Sequence, residues 1–163
     1  TNAHVVAGVD RPVVQAGTAR LPATTVHFDD DLDIAVVRVD GLRAPALVLA
    51  ATDAPRGTRG AALGFPGGGP FRAEPAAVRR SFEATGRDIY NRDLVQRPVY
   101  ELQAHVRPGN SGGPVVTAEG TVIGVVFSRS AFREDIGYAI RSSVVAARVR
   151  GAGRLPADTG PCA

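Results

Sequence analysis

The chain has 163 residues, 44% of them hydrophobic, with 19 glycines, 12 prolines and a formal charge of +3. That size and composition bound it to one folded, turn-rich domain and exclude a disordered or collagen-like chain. No run approaches the ~18 apolar residues of a membrane-spanning helix. The 19 basic residues are all arginines, dispersed except for Arg79-Arg80, which points to a solvated surface and away from nucleic-acid binding.

The chain opens on Thr1-Asn2-Ala3-His4-Val5-Val6, where His4 is expected as a strand gives way to a turn. Short strand-like runs follow over 20–28, 32–39, 46–49, 59–64, 77–83, 99–105, 113–117, 121–129 and 136–140, separated by Gly, Pro and Asp clusters, an all-β pattern. Asp33 stands at the mouth of the apolar run Ile34-Ala35-Val36-Val37. Gly67-Gly68-Gly69 lacks the Lys-Ser/Thr and the helix of a phosphate-binding loop and reads as a tight connection. Ala118-Glu119-Gly120 predicts a hairpin turn, its glycine supplying the positive φ. Residues 142–150 predict a short helix with a serine N-cap and basic residues near its end. A division of the chain is expected between 67–72 and 92–97, where turn residues and charges concentrate. Cys162 is the only cysteine.

The segment Arg107-Pro108-Gly109-Asn110-Ser111-Gly112-Gly113-Pro114 carries most of the chemistry. Glycines around a serine let the backbone turn so that a hydroxyl and neighbouring N–H groups face one point, as acyl transfer requires. A serine needs an adjacent base, and imidazole can both accept and return a proton. Of His4, His27 and His105, His4 is the candidate, since His27 lies mid-strand and His105 only six residues before Ser111. Among Asp29, Asp30, Asp31 and Asp33, only Asp33 directly precedes the apolar run, with Asp31 the runner-up. Ser81, Ser128, Ser130, Ser142 and Ser143 lack the flanking glycines. His4, Asp33, Ser111 is also the chain order of the chymotrypsin-type triad.

These segments resemble the trypsin-like serine proteases, and especially their bacterial HtrA-like branch. Gly64 to Gly69, Gly86 to Tyr90 and the terminal Cys162 are similar to actinobacterial, membrane-anchored periplasmic members linked to acid resistance. The resemblance implies one protease domain over 1–163. Its fold would be a chymotrypsin-like double β-barrel with a short C-terminal helix. A first barrel lacking its opening strands would fall in about 1–70, and the second barrel in about 95–163. It implies His4, Asp33 and Ser111 as the triad, and the backbone N–H groups of Gly109 and Ser111 as the oxyanion hole. His105, Val106, Phe127, Ser128, Arg129 and Gly137 would form the substrate pocket, with no carboxylate at its floor. Asn110 stands where trypsins have an aspartate that pairs with a liberated N-terminus, so activation by that insertion is not expected.

The implied function is an extracytoplasmic serine endopeptidase acting on proteins or peptides, with no metal, no cofactor and no nucleic acid. Membrane contact would come only through helices outside this chain. Cys162 would pair in a disulfide with a cysteine upstream of His4. Base catalysis by an imidazole fades as the ring protonates, so activity in acid would need compensation. The competing readings are a catalytically silent protease-like scaffold, or an inactive form awaiting activation. An esterase of another fold is opposed by the triad order and the all-β pattern.

Overall fold

The computed structural model describes residues 1–163. A one-turn helix α1 (Ala3–Val6) comes first, so His4 lies on a helix, not at the expected strand end. Two short antiparallel pairs follow: β1 (Val13–Ala16) with β2 (Ala19–Pro22), and β3 (Thr24–Asp29) with β4 (Ile34–Arg38). Next come β5 (Arg59–Gly64), β6 (Arg72–Arg87), β7 (Leu94–Gln103), β8 (Pro114–Thr117), β9 (Val122–Arg129) and β10 (Ile136–Arg141). Helix α2 (Ser142–Gly151) precedes an irregular tail.

The expected double barrel is not formed. Six strands close on themselves in the order β10-β7-β6-β5-β8-β9, while β1–β2 and β3–β4 remain two separate two-stranded sheets. Each of those pairs is short and finds no third strand in this chain, so no first barrel can close around them. Residues 67–97, where a division into barrels was expected, instead carry the whole of β6 and the start of β7. These two strands are hydrogen-bonded from Ala77↔Gln103 to Arg87↔Leu94. Backbone pairing extends β6 well beyond the apolar stretch that marks it in the sequence. The expected strand over 46–49 is reduced to a single bridge, Leu49↔Val122.

Two further expectations are corrected. The cap of α2 is Arg141, and Ser142 is the first helical residue, its buried hydroxyl making no cap. Cys162 is the chain's sole cysteine and is a free, exposed thiol, so the expected disulfide is not found within this chain.

Strand alternation builds two cores at once. One face of β7, β9 and β10 sends Tyr100, Leu102, Ile123, Val126 and Ala139 into the barrel interior, where they meet Val78 and Val115. The opposite face sends Val99, Val125 and Ile140 outward, where they bury Leu32 from the β3–β4 connection, Ile34 at the start of β4 and Val145 from α2. Successive side chains in a strand point to opposite faces, so a strand covered on both reads as the near-continuous apolar run seen from Val122 to Phe127. The outer cluster thereby fixes the residues on either side of Asp33 to the barrel wall.

Ile34 is 1% exposed, so Ile34→Ala should lower the unfolding free energy by about 2–5 kcal/mol. Leu42→Ala, at an exposed position, should change it by less than about 0.5 kcal/mol. Urea denaturation measures both.

Candidate active site

Asp33 is buried and adopts φ 59°, a left-handed conformation uncommon for a non-glycine residue. Its neighbours Leu32 and Ile34 are both buried in the outer core. The carboxylate grips His4 at two points. Oδ1 accepts the His4 main-chain N–H at 2.9 Å, and Oδ2 lies 2.7 Å from the ring Nδ1. An ionised carboxylate only accepts, so Nδ1 carries the proton in this pair and Nε2 is left as the basic nitrogen. The ring is one-third exposed while the carboxylate is almost wholly covered, an arrangement that leaves the free edge of the imidazole open to a reactant.

The residues before His4 reinforce this clasp. Asn2 is fully buried and donates through Nδ2 to the Asp33 carbonyl at 2.8 Å. Thr1 exchanges main-chain hydrogen bonds with Ala35. A third support comes from β7, where buried Arg97 donates through Nε to the Asp31 carbonyl at 2.5 Å and through a terminal nitrogen to the Arg87 carbonyl at 2.8 Å. Its guanidinium carbon also lies 5.9 Å from the Phe127 ring centroid, within cation–π range. Asp31, the runner-up acid, makes no contact with His4. Burial, followed by the charges of Asp30, Asp29 and Asp88, pushes its pKa up, and Arg97 partly opposes the shift.

Ser111 reaches the same corner through its neighbour. Gly112 has φ 78°, and a Cβ there would collide with Thr1 Oγ1 and crowd the main-chain nitrogen of Asn2. Only glycine lets the Ser111 turn lie against the segment that carries His4. No hydrogen bond joins the Ser111 hydroxyl to the imidazole. Buried Asn110 accepts the Arg107 N–H through Oδ1 at 3.0 Å, and the Asn110 N–H bonds the Arg107 carbonyl at 3.0 Å, closing the loop. Gly109 (φ 93°) presses against the Phe65 carbonyl with no room for a side chain. The Gly67 N–H meanwhile donates to the Pro108 carbonyl at 2.7 Å. The amides of Gly109 and Ser111 donate to no main-chain carbonyl and remain available to an anion.

The expected pocket residues separate into groups. His105, Val106 and Arg129 line one cavity, whereas Phe127 and Ser128 border another together with Tyr138. Gly137 backs directly onto Val106. His27 lies on β3, paired with Val36 of β4. No group of three or more His, Cys, Asp or Glu side chains is placed to hold a metal ion. Asn2, Arg97 and Gly112 were not singled out from the sequence. Asn2 and Gly112 lie inside the quoted motifs, but nothing local marks Arg97, which acts 66 residues away along the chain.

An imidazole clasped by a buried carboxylate, beside a glycine-flanked serine with free amides, is the equipment of a trypsin-like peptidase. The chain belongs to that family: the trypsin-like peptidase domain profile matches residues 1–125. It is similar to the serine protease Rv3671c of Mycobacterium tuberculosis, with 40% identity over 99% of this chain and 41% of the relative. The crystal structure of the Rv3671c protease in its active form matches with a TM-score of 0.94 at 40% identity, covering 99% of this chain and 72% of that one. A Halomonas elongata protein bearing the description "probable periplasmic serine endoprotease DegP-like" is 34% identical over 86% of this chain and 29% of its own length. The chain thus spans less than half the length of these full-length relatives.

Gly112→Ala combines an unfavourable φ with the Thr1 collision, and should cost about 1–3 kcal/mol. Gly120→Ala, with positive φ but open space around it, should cost only about 1–2 kcal/mol. Paired thermal melts compare the two.

Proposed function

We propose that this chain is the peptidase domain of an extracytoplasmic serine endopeptidase that cleaves proteins or peptides through an acyl-enzyme. The observation that carries this reading is the two-point clasp of His4 by Asp33, set against the Ser111 turn by Gly112. His4 Nε2 takes the proton of the Ser111 hydroxyl as Oγ adds to the substrate carbonyl carbon. The resulting oxyanion is held by the amides of Gly109 and Ser111. Collapse of the tetrahedral intermediate breaks the C–N bond, and the departing amine takes the proton from His4. Water then attacks the acyl-enzyme with His4 again as base, releasing the acid and restoring Ser111. Asp33 keeps the tautomer correct and balances the imidazolium.

The close match to an active-form protease supports catalysis, and the DegP-like relative supports a place on the outer side of the cytoplasmic membrane. A tether to the envelope would come from segments outside this chain, in which no helix is long and apolar enough to cross a membrane. One observation favours a second reading, a silent protease-like scaffold: the Ser111 hydroxyl is not hydrogen-bonded to His4. Such contacts are commonly loose before substrate binds and tighten in the complex, which leaves turnover the better reading.

A fluorophosphonate probe should label the protein at one residue, Ser111, and fail on Ser111→Ala. Asp33→Asn should lower kcat by about 10⁴-fold. An unlabelled wild-type protein would overturn turnover by this chain.

A further inference from the structure

The loop from Ala104 to Pro108 leads straight into Gly109, and with the end of β9 it encloses a cavity of about 240 Å³. The lining is His105, Val106, Arg107, Pro108, Arg129 and Glu134. Its position decides which part of a substrate it meets. The Gly109 amide holds the carbonyl under attack, so a side chain entering beside Pro108 belongs to the residue that supplies that carbonyl.

Three features set the chemistry of this cavity. First, its positive charges are uncommitted: none of the chain's ion pairs involves Arg107 or Arg129, and none involves Glu134. Two guanidinium groups and an imidazole therefore face a single carboxylate. The neighbouring Asp135 adds little repulsion. Its carboxylate is offset by the paired Arg133 guanidinium and also accepts from Gln103. Second, the cavity offers no deep apolar recess. Val106 is buried, and its Cγ2 packs so closely on Gly137 that not even a Cβ would fit between them. Third, the far side of the same loop is also basic. Arg72 and Arg107 line a cleft of about 370 Å³ with Pro66, Gly67, Pro70 and Pro108, and no carboxylate joins them.

We infer that this cavity selects peptides carrying an acidic side chain, Asp or Glu, on the residue that donates the scissile carbonyl, with Arg129 and Arg107 as the recognising groups. The inference rests on the peptidase reading above. A carboxylate accepts from a guanidinium as a charge-assisted, bidentate pair, whereas an amide of the same shape loses the charge. Arg129 and Arg107 are exposed at the mouth, so solvent limits the size of the discrimination.

The test uses matched peptides differing only at that residue: Glu, Gln, Leu and Arg. The Glu peptide should exceed the Gln peptide in kcat/KM by roughly 5- to 10-fold at low salt, and the ratio should shrink as salt rises. Arg129→Ala should bring the ratio close to one, and Arg129→Lys should retain most of it. Glu134→Gln should raise it, and Arg150→Ala, on the exposed face of α2, should leave it unchanged. Equal cleavage of the Glu and Gln peptides, or faster cleavage of the Leu peptide, would overturn the inference. Fluorophosphonate labelling separates the failures: a labelled enzyme indifferent to charge refutes only the selectivity, and an unlabelled one refutes the peptidase reading with it.

Discussion

Asp33 holds both the main chain and the ring of His4, and the rest of the site is arranged around that double grip. A single hydrogen bond to Nδ1 would leave the imidazole free to swing about its side-chain torsions. The second bond, to the backbone amide, ties the position of the whole residue to the same carboxylate. Two bonds from one buried anion thus fix a tautomer, an orientation and a location together. The left-handed backbone of Asp33 is the strained element that makes this reach possible. It persists because Leu32 and Ile34 are both sunk in the outer core, so relaxing the strain would pull two apolar side chains into water.

The barrel's contribution to chemistry is therefore made through its outer wall as much as its interior. Val99, Val125 and Ile140 receive the residues flanking Asp33, and Arg97, from the same strand as Val99, braces the Asp31 carbonyl. Ser111 comes from the loop before β8, and its turn is seated by a different device, the missing side chain of Gly112. His4 and Asp33 thus come from the N-terminal segments, and Ser111 comes from the barrel. They are joined by main-chain proximity at Thr1–Asn2 rather than by long side chains. The Gly-rich connection after β5 adds a further constraint, because its Gly67 amide pins the Pro108 carbonyl directly before the free donor at Gly109.

What the amino acids announce and what they conceal follow from the range of each interaction. The runs at 59–64, 121–129 and 136–140 are legible because each is covered on at least one face and is mostly small, β-branched or other apolar residues. His4, Asp33 and Ser111 each sit in a local sequence pattern of their own, and the structure joins the first two directly. Long-range closure is not legible. Nothing local says that β5 and β6 pair with the later strands instead of completing a barrel with β1–β4, and β1, half of whose residues are exposed, gives little apolar signal. The turn of helix around His4 follows from contacts with Asp33, whereas its Val-Val pair favours a strand by propensity. Arg97 looks like any other surface arginine until its two carbonyl partners are seen, and Ser142 looks like a cap until its hydroxyl is found buried.

The sharing of β7, β9 and β10 between two clusters has a consequence for how the molecule comes apart. Leu32 and Ile34 have no apolar cluster except the one they make with barrel strands and α2. The N-terminal hairpins therefore lack the means to persist on their own, and the barrel without them would present a greasy, unshielded flank. Melting should run as one concerted event, so the molecule has no half-assembled state in which the serine waits, folded, for a missing histidine.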